Sequence, residues 1–266
     1  MPVLTVGDLD LHYEQAGSGP SVVLVPGTGA RGRTWWLYQV PALVAAGYRV
    51  LTVDNRGAGS PHTGPLTVGA LVNDLALFVE RVAGGPCRLV GSSMGAHLVQ
   101  ELLLSRPDLA VQAVLMASRA RPDALSRALT AAEKQLYDSG VTLPPGYAAV
   151  ARAMQNLSPR TLADPQRAQD WLEIFELSPA GDAGGRAQLD LDWDTDRRDA
   201  YRAITTPTLV VSFADDLVTP APHGRELADC IPHARYAEIP DAGHYGYLEQ
   251  PDAVNDAVLA FFKEFP

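Results

Sequence analysis

A chain of 266 residues can bury a large core, and its net charge of −10 argues against nucleic acid and anionic membrane surfaces as partners. No apolar run approaches the roughly 18 residues that span a bilayer, and the first residues lack the pattern of a signal peptide, so we expect a soluble, cytoplasmic protein. The two cysteines, Cys87 and Cys230, are too few for a disulfide framework and lack metal-ligand spacing.

The chain opens with an alternating pattern from Val3 to Gln15 that predicts a β-hairpin. Six apolar runs without strict alternation follow, as is typical of strands covered on both faces. They are SVVLVPG (21–27), YRVLTVD (48–54), CRLVGSS (87–93), VQAVLMAS (111–118), TLVVSFADD (208–216) and ARYAEIPDAGH (234–244). Helix-period segments lie at about 35–46, 67–83, 93–105, 222–230 and 250–263. This alternation predicts an α/β protein with a mainly parallel, eight-stranded sheet and helices on both faces.

One long interval, residues 119–206, contains helix-like stretches and no convincing strand. It is too long for an ordinary connection between strands and too rich in aromatic residues for a disordered linker. We therefore expect a helical cap, which we call the helical insertion, within an α/β core formed by residues 1–118 and 207–266.

A candidate nucleophile lies between a predicted strand and a predicted helix, in Gly91-Ser92-Ser93-Met94-Gly95. This segment fits G-x-S-x-G, in which the middle serine, here Ser93, is held on a strained turn with its hydroxyl exposed. A structural interpretation is also open, because glycine permits a tight turn and serine is a favoured helix N-cap. The pentapeptide alone does not decide, so the rest of the chain must supply a base, an acid and an oxyanion hole.

A serine nucleophile needs a histidine base that is oriented by a carboxylate. His244 follows the last predicted strand, at the edge of the sheet where sites gather in open α/β folds. The other histidines are expected to be structural or solvated; they are His12, His62, His97, His223 and His233.

The acid is sought directly after the penultimate predicted strand, which ends in Asp215 and Asp216. Aspartates at such a position also form turns or cap the next helix, and we favour that interpretation for Asp215. Asp216 is the expected catalytic acid. The resulting order, Ser93, Asp216, His244, is that of α/β-hydrolases and differs from the chymotrypsin and subtilisin orders.

An oxyanion hole requires backbone N–H groups where negative charge develops. Met94 supplies one donor at the start of the helix, and Thr28, in the glycine-rich stretch VPGTGARGRTW (25–35), is the expected second donor. The alternative, a phosphate-binding loop, is disfavoured because the stretch matches neither a complete dinucleotide-binding unit nor a P-loop.

These residues together resemble the α/β-hydrolase superfamily, specifically its cap-bearing esterases, thioesterases and cofactor-free haloperoxidases. The resemblance extends to DNRGAGS (54–60), similar to the family's loop after strand four, and to the G-H-x-x-x-x-E-x-P pattern around His244. In similar proteins the acid stands four residues before a proline, which selects Asp216 ahead of Pro220. One departure is Pro26-Gly27, where the family commonly has His-Gly ahead of the oxyanion donor.

The sequence thus predicts a serine hydrolase that cleaves an ester or thioester of a small, largely apolar molecule through an acyl-enzyme on Ser93. The acyl group is either free or carried by coenzyme A or a carrier protein, and no metal or organic cofactor is expected. A serine nucleophile disfavours epoxide hydrolysis and haloalkane dehalogenation, which the resemblance assigns to a carboxylate at that position. Carbon–carbon bond cleavage, elimination or cyclisation by the same triad stays open, as does a ligand receptor that retains hydrolase residues.

Aromatic side chains are the expected walls of the substrate pocket, and we expect the helical insertion to fold over Ser93 and to set selectivity rather than chemistry. The alternative is that aromatic residues of the insertion form its own core. The predicted substrate-binding residues are Trp35, Tyr147, Trp171 and Phe175.

Overall fold

A computed structural model describes residues 2–6, 9–58, 66–177 and 183–264. His62 and the last two residues of the 54–60 loop lie outside these ranges. The described strands are β1 Val3–Val6, β2 Leu9–Ala16, β3 Ser21–Val25, β4 Arg49–Val53, β5 Cys87–Ser92, β6 Ala110–Met116, β7 Thr208–Phe213 and β8 Arg235–Ile239.

The strands form one eight-stranded sheet in the order β1-β2-β4-β3-β5-β6-β7-β8. The opening hairpin is antiparallel, and β2 also pairs antiparallel with β4. All remaining neighbours are parallel. The predicted α/β architecture with a mainly parallel sheet is therefore confirmed.

Helices cover both faces of the sheet. They are α1 Gln39–Ala45, α2 Val68–Phe78, α3 Met94–Ser105, α4 Ala124–Asp138, α5 Pro145–Asn156, α6 Pro159–Ala163, α7 Pro165–Leu177, α8 Ala183–Leu189, α9 Arg198–Tyr201, α10 Ala221–Cys230, α11 Gly246–Glu249 and α12 Pro251–Glu264. One core cluster joins the sheet to α2, α3 and α10, and a second joins its other face to α1 and α12. No helix in the described part of the chain has both the length and the apolar composition needed to cross a bilayer.

The central apolar runs are strands buried on both faces, but the run that forms β8 is not. Every residue of β5 and β7 is buried, whereas β8, at the sheet edge, has exposed side chains at Arg235 and Glu238 and only Ile239 fully buried. A central parallel strand is covered by helices on both faces, so its side chains are apolar on both faces and do not alternate with polar residues.

Between β6 and β7 the described residues form helices α4 to α9 and no strand. Helices α5 and α7 contact each other and share a small core of Ala149, Ala153, Leu157 and Phe175. Tyr245, which follows β8, packs against this core. The helical insertion is thus joined to the loop that follows the last strand.

Parallel strands end at the same edge of the sheet, so the loops after them converge. The loops after β3, β5, β7 and β8 contain Thr28, Ser93, Asp216 and His244, respectively. The topology therefore brings four segments that are far apart in the sequence to one edge.

Candidate active site

Ser93 occupies the turn between β5 and α3 in a strained backbone conformation. Its φ of 54° and ψ of −120° are unusual for a residue with a side chain, and such conformations cost about 1–3 kcal/mol. Flanking glycines make the turn possible: a Cβ on Gly91 would lie 2.4 Å from the Gly95 carbonyl oxygen, and one on Gly95 would lie 2.2 Å from that of Val25. The N–H of Ser93 donates to the Met116 carbonyl at 3.0 Å, which ties the turn to β6.

His244 lies beside Ser93, with 3.1 Å between its Nε2 and the Ser93 Oγ. Its loop is held by the buried carboxylate of Glu249, which accepts from the Gly243 N–H at 2.7 Å and from the Ser158 N–H at 2.9 Å. Ser158 belongs to the segment between α5 and α6, so Glu249 fixes the histidine loop to the helical insertion as well.

Asp216 completes the chain of hydrogen bonds, with its Oδ2 2.8 Å from Nδ1 of His244. Its Oδ1 accepts from the N–H groups of Val218 and Thr219, and its Oδ2 also accepts from the Thr219 hydroxyl at 2.7 Å. Burial alone would raise the pKa of Asp216, but the charge and hydrogen bond of His244 and the two bonds from Thr219 outweigh burial and lower it. The carboxylate is therefore held in its charged form.

Asp215 takes a different position. Its N–H donates to the Ala242 carbonyl at 2.9 Å, and in the described structure its side chain takes no part in the hydrogen bonds that link Asp216 to His244. The structure thus joins His244 to Asp216, the aspartate chosen from the spacing to Pro220.

The glycine-rich loop after β3 lies against Ser93, since a Cβ on Gly27 would be 3.2 Å from the Cβ of Ser93. The next backbone N–H along the chain is that of Thr28. On the other side of Ser93, Met94 begins α3, and the first N–H groups of a helix have no partner within it. The N–H groups of Thr28 and Met94 thus belong to the two segments next to Ser93, which is where an oxyanion hole would need its donors.

The four aromatic residues predicted to line the substrate pocket lie in different surroundings. The expectation for Trp35 is wrong: its side chain is 0% exposed and packs on Tyr247 inside the core, with 4.6 Å between ring centroids. Tyr147 is 64% exposed on α5, so its role in binding stays a prediction.

Trp171 and Phe175 lie in the core of the helical insertion and contact Tyr245, the residue after His244. The Arg152 guanidinium packs on the Phe175 ring at 4.5 Å, and Arg152 also donates to the Tyr245 hydroxyl at 3.4 Å. Phe175 is therefore part of the insertion's own core, as the structural interpretation expects, and Tyr245 connects this core to the loop that contains His244.

Three polar residues of this region were not identified from the sequence as site residues: Thr219, Gln188 and Tyr245. Thr219 was within reach, because it lies between Asp216 and Pro220 in the stretch already used to choose the acid. Tyr245 directly follows His244. Gln188 gives no local signal, since both of its partners lie in loops more than a hundred residues earlier.

No group of three or more His, Cys, Asp or Glu side chains suited to a metal ion occurs in the described residues.

Comparison with known proteins places these features in a family context. The chain matches the model of the alpha/beta hydrolase family over residues 22–257. It is 48% identical, over 96% of this chain and 98% of the relative, to a Mycobacterium tuberculosis protein named non-heme bromoperoxidase BpoC. The crystal structure of BpoC has a TM-score of 0.94 at 47% identity and covers 97% of both chains.

Two more distant relatives carry other names. A protein from Azorhizobium caulinodans named carbamate hydrolase RutD is 27% identical over 99% of both chains. The crystal structure of an enol-lactonase from Burkholderia xenovorans LB400 has a TM-score of 0.86 at 27% identity, and covers 98% of this chain and 100% of that chain. The names attached to this architecture therefore span several reactions.

Proposed function

Because this chain belongs to the alpha/beta hydrolase family, we propose that it is a serine hydrolase that cleaves an ester or thioester of a small, largely apolar substrate through an acyl-enzyme on Ser93. The observation that carries the proposal is the continuous path of hydrogen bonds from Ser93 Oγ through His244 to Asp216. A hydroxyl at a strained turn with a base at 3.1 Å is the arrangement that nucleophilic acyl transfer needs.

In the first half of the reaction, Ser93 Oγ attacks the carbonyl carbon while Nε2 of His244 takes the hydroxyl proton. The resulting imidazolium is stabilised by the charged Asp216, and the N–H groups of Met94 and Thr28 bind the oxyanion of the tetrahedral intermediate. His244 then gives its proton to the leaving alcohol or thiol. Ser93 is left as an acyl ester.

In the second half, water attacks the acyl-enzyme and gives a proton to Nε2 of His244. The acid is released when that proton returns to Ser93 Oγ, which restores the starting state. The buried Asp216 keeps its negative charge throughout, since its hydrogen bonds favour the charged form.

Aromatic side chains of the helical insertion contact Tyr245, the neighbour of His244, and this supports a largely apolar substrate. Trp171, Phe175 and Tyr245 form mutual ring contacts beside His244. The names bromoperoxidase, carbamate hydrolase and enol-lactonase on its relatives do not fix the acyl group. A series of substrates is therefore the appropriate test.

The experiment measures hydrolysis of 4-nitrophenyl esters from acetate to octanoate and of the matching acyl thioesters, together with labelling by a fluorophosphonate. We expect turnover of the short esters and a label on Ser93. In Ser93→Ala, turnover should fall by several orders of magnitude and the label should be absent. Ser92→Ala is the matched control, because Ser92 is the buried neighbour that ends β5. Equal loss in both variants, or labelling elsewhere, would overturn the proposal.

The same experiment separates the alternatives. Carbon–carbon bond cleavage, elimination or cyclisation would leave simple esters untouched. A receptor would bind a product tightly without turnover.

A further inference from the structure

Gln188 connects the helical insertion to two loops of the core. It lies on α8 and is 2% exposed. Its side-chain oxygen accepts from the Gly29 N–H at 2.7 Å, and its side-chain amide donates to the Arg56 carbonyl at 2.8 Å. One buried side chain therefore bonds to the loop after β3 and to the loop after β4.

The loop after β3 is held at three points with a regular spacing. Asn55 donates to the Pro26 carbonyl at 2.9 Å, and Asp54 accepts from the Gly32 N–H at 2.8 Å. Gln188 holds the middle point, Gly29. Both Asn55 and Asp54 come from the core, whereas Gln188 comes from the helical insertion.

Thr28 lies between the points held by Asn55 and Gln188. On its N-terminal side, Gly27 lies against Ser93, and the Gly27 carbonyl also accepts from the Ala30 N–H at 3.2 Å, which closes a tight turn over Thr28 and Gly29. The orientation of the Thr28 N–H thus depends on where this turn is fixed. Loss of the bond at Gly29 would free the outer half of the turn.

We propose that Gln188 is a positioning residue for the oxyanion hole, which it sets by fixing the turn that presents the Thr28 N–H. This inference rests on the proposed function, and it gives the helical insertion a part in the chemistry as well as in selectivity. The side-chain amide meets both demands at this position, since its oxygen accepts from one backbone group and its nitrogen donates to another. Glutamate retains the acceptor alone, and methionine, of similar length, retains neither strong group.

The test compares Gln188→Met and Gln188→Glu with the native enzyme on 4-nitrophenyl acetate and octanoate, and measures inhibition by a trifluoromethyl ketone whose adduct with Ser93 mimics the oxyanion. We expect Gln188→Met to lower kcat about 10- to 100-fold, because small displacements of catalytic groups have effects of this size. KM should change little, and both esters should lose the same factor, because each forms the same oxyanion. Inhibitor affinity should fall in parallel with kcat/KM. The loss in Gln188→Glu should be smaller.

Gln112→Met is the matched control. Gln112 is also fully buried, and its side chain likewise makes one accepting and one donating bond, with Arg88 and with the Phe261 carbonyl. It lies near the start of β6, away from the catalytic edge. Its substitution should lower thermal stability and leave kcat and inhibitor affinity close to native values.

Native-like kcat and inhibitor affinity in folded Gln188→Met would overturn the inference. A loss of kcat confined to the octanoate ester would also overturn it, because Gln188 would then act on selectivity. Should Gln188→Met not fold, Gln188→Glu decides by the same criteria. If the native protein neither hydrolyses the esters nor takes the fluorophosphonate label on Ser93, the proposed function fails first. If it does both, only the role of Gln188 is in question.

Discussion

The substitution Asp216→Asn replaces one oxygen of a buried carboxylate by an amide nitrogen, and the structure determines which oxygen is replaced. Oδ1 accepts from the N–H groups of Val218 and Thr219, both at 2.8 Å. An amide nitrogen cannot accept from these donors, so the amide oxygen has to take the Oδ1 position. The NH₂ group then occupies the Oδ2 position and faces Nδ1 of His244.

This orientation forces the wrong tautomer on the histidine. With a donor opposite it, Nδ1 must accept, and the ring proton moves to Nε2, the atom 3.1 Å from Ser93 Oγ. Nε2 then no longer accepts the hydroxyl proton. We expect kcat to fall about 10⁴-fold, the size of this effect in a serine protease, which corresponds to about 5 kcal/mol of lost transition-state stabilisation.

The assay is steady-state hydrolysis of 4-nitrophenyl acetate, with thermal unfolding to verify that the variant is folded. Asp215→Asn is the control, because Asp215 is the adjacent carboxylate and its side chain stands outside the bonds between Asp216 and His244; it should keep most of the native kcat. A folded Asp216→Asn variant with near-native kcat would refute the reasoning from hydrogen-bond geometry. Equal inactivity of Asp215→Asn would show that the acid had been assigned incorrectly.

Three further substitutions test the surroundings of the site. Phe175→Ala should lower the free energy of unfolding in urea by roughly 3–5 kcal/mol, since Phe175 is buried in the core of the helical insertion; an unchanged midpoint would contradict this placement. Glu249→Gln leaves the N–H of Gly243 or of Ser158 without its acceptor. We therefore expect the free energy of unfolding, measured by thermal denaturation, to fall by about 1–3 kcal/mol, and kcat to be lower. Native stability and native kcat would show that these two hydrogen bonds are dispensable. Burial lowers the pKa of His97 from 6.5 to about 3. Below pH 6.5 the unfolded chain therefore binds a proton at this residue that the folded chain does not bind. We expect the free energy of unfolding to fall by about 2 kcal/mol from pH 7.5 to pH 5. His97→Phe should lack this component, and an identical pH dependence in both proteins would contradict it.

The α/β architecture could be predicted because its signals are local. Buried parallel strands require unbroken apolar runs such as CRLVGSS, and the chain order of strands and helices then limits the topology to a sheet with its loops gathered at one edge. The positions of Ser93, Asp216 and His244 relative to these strands follow from the same argument. Their catalytic roles remain predictions that the substitutions above test.

Side-chain surroundings could not be predicted in the same way. Trp35 and Phe175 were both predicted to line the substrate pocket. Trp35 packs against Tyr247 in the main core, and Phe175 lies in the core of the helical insertion. Hydrophobicity indicates that such side chains will be buried, and it does not specify which neighbours bury them.

The sequence alone thus determined the elements, their order and the sheet edge where reactive side chains meet, because strand periodicity, turn residues and connectivity act over short distances along the chain. Only the tertiary structure decided which polar groups support that edge. Gln188 bonds to a backbone group 159 residues away, and Glu249 to one 91 residues away. Such pairs depend on where distant segments return in space. A glutamine that makes a buried bond looks in the sequence like one that faces water, and the family pattern that contains Glu249 does not show its partner Ser158.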